Sequence, residues 1–124
     1  MRKTLRKTFG SFRFAINGFR LLLLEEHNGK VHVAVAVMVI ITAIILSLNP
    51  VEWLAITICI GLVISLELFN SSIEALADYS CPEWNNLILK TKDFSAAAVL
   101  VSALTSATVG CTIFIPKIID LCTK

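Results

Sequence analysis

From Phe94 to Pro116 the chain runs 23 residues without one charged side chain. At 1.5 Å per residue, a helix of that length reaches about 34 Å, enough to cross the roughly 30 Å hydrocarbon core of a bilayer. Two further apolar runs approach this length. Val31 to Leu48 holds one ionisable residue, His32, and stops at Asn49-Pro50. The other begins near Trp53, is uncharged to Leu66, and reaches spanning length only by admitting Glu67. Composition agrees with this reading. The 124 residues are 56% hydrophobic and 16% charged, against about 25% charged in soluble domains. So apolar a chain can be neither a disordered segment nor an ordinary soluble domain, and its length leaves no room for a second globular unit. We expect one all-α membrane domain over 1–124, with transmembrane helices at 31–49, 52–78 and 94–116, the second carrying a cytoplasmic extension.

The basic residues are unevenly placed. Seven of the eleven lie within positions 1–30, two are Lys90 and Lys92, and two are Lys117 and Lys124. By the positive-inside rule the N-terminus and the connection from Tyr79 to Lys92 face the cytoplasm, while the turn at 49–52 and the C-terminal tail face out. Before the first span, Leu5, Phe9, Phe12, Ile16 and Phe19 recur at steps of three and four, with Arg2, Arg6, Arg13 and Arg20 largely opposite them. Residues 1–26 therefore read as an amphipathic helix lying in the cytoplasmic interface. Between the second and third spans, Cys81-Pro82 marks a break before a short helical turn around Trp84.

Some chemistries are absent. The four cysteines (Cys59, Cys81, Cys111 and Cys122) form no C-x-x-C pair and suggest neither a disulfide framework nor a zinc site. His27 and His32 are five apart, not at the four-residue spacing of paired helical ligands, and read as non-ligands. The glycines are scattered and build no phosphate-cradling loop. No nucleic-acid partner is expected.

The most informative stretch is Glu67 to Asp78. On a helix, Asn70, Glu74 and Asp78 lie about −60°, −20° and +20° around from Glu67, so all four share one face. An ionisable group inside a span is costly and usually meets a partner or a wet cavity, which makes Glu67, the deepest, a candidate proton acceptor. Asp78 reads as the solvated end of the helix. The three-span layout returns a second acidic locus, Glu25-Glu26, to the same interface. Carboxylates meeting there could hold a hard cation such as Mg²⁺ together with substrate phosphates. Lys92-Asp93, just before the third span, adds a cation on the same side.

Taken together, Glu67-x-x-Asn70-x-x-x-Glu74-x-x-x-Asp78, then Lys92-Asp93 before Ala96 to Leu100, resembles the signature of the bacterial diacylglycerol kinase family. Ser11-Phe12, Gly18, Glu25-Glu26 and Glu52-Trp53 fall in the family's order. The run Glu25 to Asn28 with His32 is more similar to the undecaprenol kinase branch. The resemblance implies a homotrimeric lipid kinase of the bacterial cytoplasmic membrane, moving the γ-phosphate of MgATP onto the hydroxyl of undecaprenol or diacylglycerol. Its active sites would be shared between subunits. Carried over by position, Glu67 would be the general base on the lipid hydroxyl, Glu26 and Glu74 would bind the metal on the ATP phosphates, and Asn70 would act within that site. Lys92 and Asp93 would serve catalysis and the nucleotide, which would also meet Glu83, Asn85, Lys7 and Phe14. Lys7 stands where an Arg is common, Phe14 where a Tyr is common, and Ser72 where an Ala is usual.

The residues alone leave two other classes open. A small multispan transporter would also use an intramembrane Glu, but its acid would not cluster at one interface with an uncharged final span. A structural subunit would need the polar face only for helix pairing.

Overall fold

The computed structural model describes residues 2–83 and 85–123, with side chains from 12 onward. All the regular structure among them is helical: α1 (Arg2–Glu25), α2 (His27–Ile45), α3 (Pro50–Ser80) and α4 (Asn86–Cys122). The last three are long and apolar enough to cross a membrane.

The chain turns where its chemistry demands. Glu26 alone separates α1 from α2, held extended at φ −91° and ψ 120°. The two helices meet closely there. A Cβ on Gly29 would lie 2.5 Å from Cδ1 of Leu22 and 3.1 Å from the Leu22 carbonyl oxygen, so only glycine permits this approach. Ser47, at φ 49°, supplies the left-handed step after α2. Asn49 then caps α3: its side-chain oxygen accepts from the amides of Val51 (2.9 Å) and Glu52 (3.0 Å), and the Glu52 carboxylate accepts from the Asn49 amide at 2.7 Å. With Pro50 in the first turn, this is a complete capping box.

α3 has 31 residues and α4 has 37, about 46 and 55 Å long, so both outrun a hydrocarbon core. They pack antiparallel, clamped at each end by an ion pair: Lys92 to Asp78 at 2.7 Å and Lys117 to Glu52 at 3.1 Å. Along α3 those acids are about 39 Å apart, close to the thickness of a bilayer with its headgroups. Between the clamps, Ser106 Oγ donates to the Cys59 carbonyl at 3.5 Å. The best-buried apolar group, Ala43, Leu48 and Ile56 with Trp53 and Phe114 against it, lies toward the Glu52 end. Most large side chains of α2, α3 and α4 face outward, as suits helices surrounded by lipid or by other helices.

One expectation needs correction. The connection between the second and third spans is residues 81–85, not Tyr79 to Lys92: α3 persists through Ser80, and Asn85 starts α4 by accepting from the Leu87 amide at 2.8 Å. Lys90, Lys92 and Asp93 are therefore helical. The turn expected around Trp84 falls on a residue outside those described. α4 also continues past Pro116 to Cys122. Proline is tolerated in such helices, and the Lys117 tie to Glu52 fixes the turn that follows it.

Candidate active site

The polar stripe on α3 faces the protein. Glu67 is 2% exposed and Asn70 6%; Glu74, one turn further, is half-buried. Helical spacing puts the three in line, and neighbouring helices supply their partners. Ser95, on α4, donates its hydroxyl to the Asn70 side-chain oxygen at 2.7 Å, sharing it with the Lys92 carbonyl at 2.8 Å. The Asn70 amide nitrogen in turn donates to Glu74 Oε1 at 3.0 Å. One hydroxyl thus fixes which way the amide points. On the other side, Nε2 of His32, from α2, lies 3.9 Å from Glu67 Oε2. Glu26, half-buried at the α1–α2 break, is near enough that its charge acts on Glu67, as does that of Glu74.

Lys92 sits one helix face away. Its ammonium holds Asp78 at 2.7 Å and also feels the charge of Glu74. Asp78 is 68% exposed, so it is both the solvated end of the stripe and the residue that steers Lys92. Asp93 is exposed on α4, Glu83 is exposed in the connection, and Asn85 spends its side-chain oxygen on the α4 cap. Phe14, 78% exposed on α1, joins no part of the cluster. The Lys7 side chain lies outside the described residues. The structure thus gathers Glu67, Asn70 and Glu74, with Glu26 and Lys92 beside them, and leaves Phe14, Asp93, Glu83 and Asn85 apart within one chain.

Sequence reasoning gave Ser95 no role, set His32 aside as a non-ligand and took Asp78 for the solvated end of the stripe. His32 is the lone ionisable residue of the first apolar run, which is itself a signal. Ser95 falls one helical turn after Lys92, on the face that α4 turns to α3. Asp78 shows its pairing only once α4 is seen to begin at Asn86.

Among the described residues no three His, Cys, Asp or Glu side chains come together as a metal-ligand group. Glu26 and Glu74 offer hard carboxylate oxygens, and one Glu74 oxygen is already held by Asn70. That donor set fits a cation that completes its shell with phosphate oxygens and water, the habit of Mg²⁺. Below Glu67 an apolar cavity of about 380 Å³ opens among α2, α3 and α4. It runs from His32 past Val63 and Ala103 to Phe114 and Ile115.

The sequence pattern of the prokaryotic diacylglycerol kinase family matches residues 13–114. The chain belongs to that family. It is 36% identical over 117 residues to the undecaprenol kinase of Bacillus subtilis (strain 168), covering 94% of this chain and 95% of that one. It is 33% identical over 114 residues to a diacylglycerol kinase of Synechocystis sp., covering 90% of this chain and 64% of that one. A Helicobacter pylori (strain 26695) diacylglycerol kinase is 28% identical over 102 residues, 82% of this chain and 80% of its own. As a member of this family, the chain combines its Glu67 cluster with helices built to lie in a membrane.

Proposed function

We propose that this member of the family is a lipid kinase that transfers the γ-phosphate of MgATP to the hydroxyl of a membrane lipid at the cytoplasmic face. The observation that carries the reading is Glu67: a buried carboxylate one helical turn beyond Val63, which lines the apolar cavity, and beside an oriented Asn70–Glu74 pair. Phosphoryl transfer asks little covalent chemistry of a protein. It needs the reactants held in line, negative charge neutralised, and a place for the hydroxyl proton.

In this reading the lipid keeps its hydrocarbon in the bilayer and the cavity, and brings its hydroxyl to Glu67. The carboxylate takes the proton, the lipid oxygen bonds to the γ-phosphorus, and the bond to the β–γ bridging oxygen breaks to release ADP. Glu26 and Glu74 would hold Mg²⁺, which when bound screens the phosphate charge. Asn70 keeps Glu74 turned toward that position, Ser95 keeps Asn70 turned, and Lys92 offers a cation to the phosphates from its place on Asp78. Asp93, Glu83, Asn85, Lys7 and Phe14 are proposed nucleotide contacts. They lie apart from the cluster or outside the described side chains, and a homotrimer sharing its sites between subunits would supply them from a neighbouring copy. The broad outward apolar faces of α2, α3 and α4 are consistent with such an assembly.

The acceptor is undecaprenol or diacylglycerol. The identity to the Bacillus subtilis undecaprenol kinase over nearly both full lengths favours the former. Purified protein in mixed micelles, given labelled MgATP and each lipid separately, tests both points. Label in undecaprenol is the expected result. Label in diacylglycerol alone would reverse the order of acceptors, and label in neither lipid would refute the kinase reading.

A further inference from the structure

We infer that His32 is a positioning residue for Glu67: it holds one carboxylate oxygen so that the other is aimed at the lipid hydroxyl. The inference rests on the reading of Glu67 as the base. Buried carboxylates ordinarily have partners, and the groups around Glu67 are mostly unsuited to the part. Glu26, at the α1–α2 break, and Glu74, on α3, carry the same charge and repel it. Ser71, on α3, gives its hydroxyl to the Glu67 backbone carbonyl at 3.1 Å and not to the carboxylate. Ser95 and Asn70 are committed to each other and to Glu74. That leaves the imidazole of His32, whose Nε2 lies 3.9 Å from Oε2, the one attractive group the structure sets against that carboxylate among the described residues.

The placement of His32 is as telling as the distance. Its side chain is 23% exposed and Glu67's is 3%, so the ring is the more accessible member of the pair. It also lines the apolar cavity, which Glu67 does not reach. A lipid whose chain occupies that cavity would bring its hydroxyl to Glu67 past this ring. At 3.9 Å Nε2 approaches Oε2 at more than hydrogen-bond length, and the two form an ion pair only when the imidazole is protonated. His32 comes from α2 and Glu67 from α3, so the contact links the two helices beside the candidate base.

The test compares His32→Leu, which removes the polar contact, with His32→Gln, which keeps an N–H donor, each made alone and on a Glu67→Gln background. Phosphate transfer is followed at varied ATP and lipid in mixed micelles. Misaiming a reacting group costs on the order of tenfold to a hundredfold in rate. His32→Leu should therefore lower kcat by at least about tenfold while the KM for ATP stays within about twofold. His32→Gln should recover most of the loss. On the Glu67→Gln background, His32→Leu should change the residual rate by less than about twofold, because residues acting through one another are not additive. Full activity of His32→Leu, no recovery by His32→Gln, or an equal loss on both backgrounds would overturn the inference with the base reading left standing. Normal turnover by Glu67→Gln alone would remove the base reading, and the inference with it.

Discussion

Ser95 and Asn70 are joined by a 2.7 Å hydrogen bond from α4 to α3, and it turns the Asn70 amide nitrogen toward Glu74. Without the hydroxyl the amide is free to rotate and offer its oxygen to a carboxylate that repels it. Ser95→Ala is expected to lower turnover by about tenfold, with a stability loss of about 1 kcal/mol for the missing hydrogen bond. Asn70→Asp, which sets a further acid beside Glu74, should be the more damaging. Turnover and thermal unfolding of the two variants check this, and wild-type turnover in both would show that the network does not serve the site.

If Glu26 and Glu74 hold the cation, each Gln substitution should raise the Mg²⁺ concentration for half-maximal activity by about tenfold, since a hard cation loses a charged oxygen ligand. Chelation should abolish transfer, and added Mg²⁺ should restore it. A Mg²⁺ titration unchanged by either variant would remove that residue from the metal site.

The packing of α1 on α2 gives a separate test. A Cβ on Gly29 would press on Leu22, a residue 2% exposed, and such overpacking typically costs about 1–3 kcal/mol. The strain falls three residues from Glu26. Gly29→Val should therefore lower both the unfolding temperature and the turnover, whereas Gly18→Ala, with nothing within 4 Å of its Cβ position, should leave both near wild type.

The opposite end of the molecule provides the converse case. Asn49 caps α3 far from Glu67, and losing such a cap costs about 1 kcal/mol. Asn49→Ala is expected to lower the unfolding temperature while kcat stays within about twofold, as measured side by side. A large fall in kcat at unchanged stability would mean that the two ends are coupled.

Much of the architecture was legible in the residues. An uncharged run such as 94–116 has few alternatives to a membrane helix, and the 3.6-residue period alone places Glu67, Asn70 and Glu74 on one face. What the pattern could not show was pairing across helices. Lys90, Lys92 and Asp93 read as loop because polar side chains interrupt the apolar run, yet Asn85 caps a helix that carries them. Pro116 ends the uncharged run, and α4 continues past it to bring Lys117 to Glu52. The contacts of His32 with Glu67 and Ser95 with Asn70 span 35 and 25 residues of sequence. No local spacing rule reaches so far.

The most direct test of the account is Glu67→Gln, with phosphate transfer and ATP binding measured on the same preparation. The amide keeps the shape of the side chain and removes its capacity to take a proton. Turnover should fall by about 10²-fold or more while ATP binding remains within about twofold. Near-wild-type transfer by this variant would contradict the central role of Glu67, and loss of transfer only in step with loss of ATP binding would make it a nucleotide ligand and not the base.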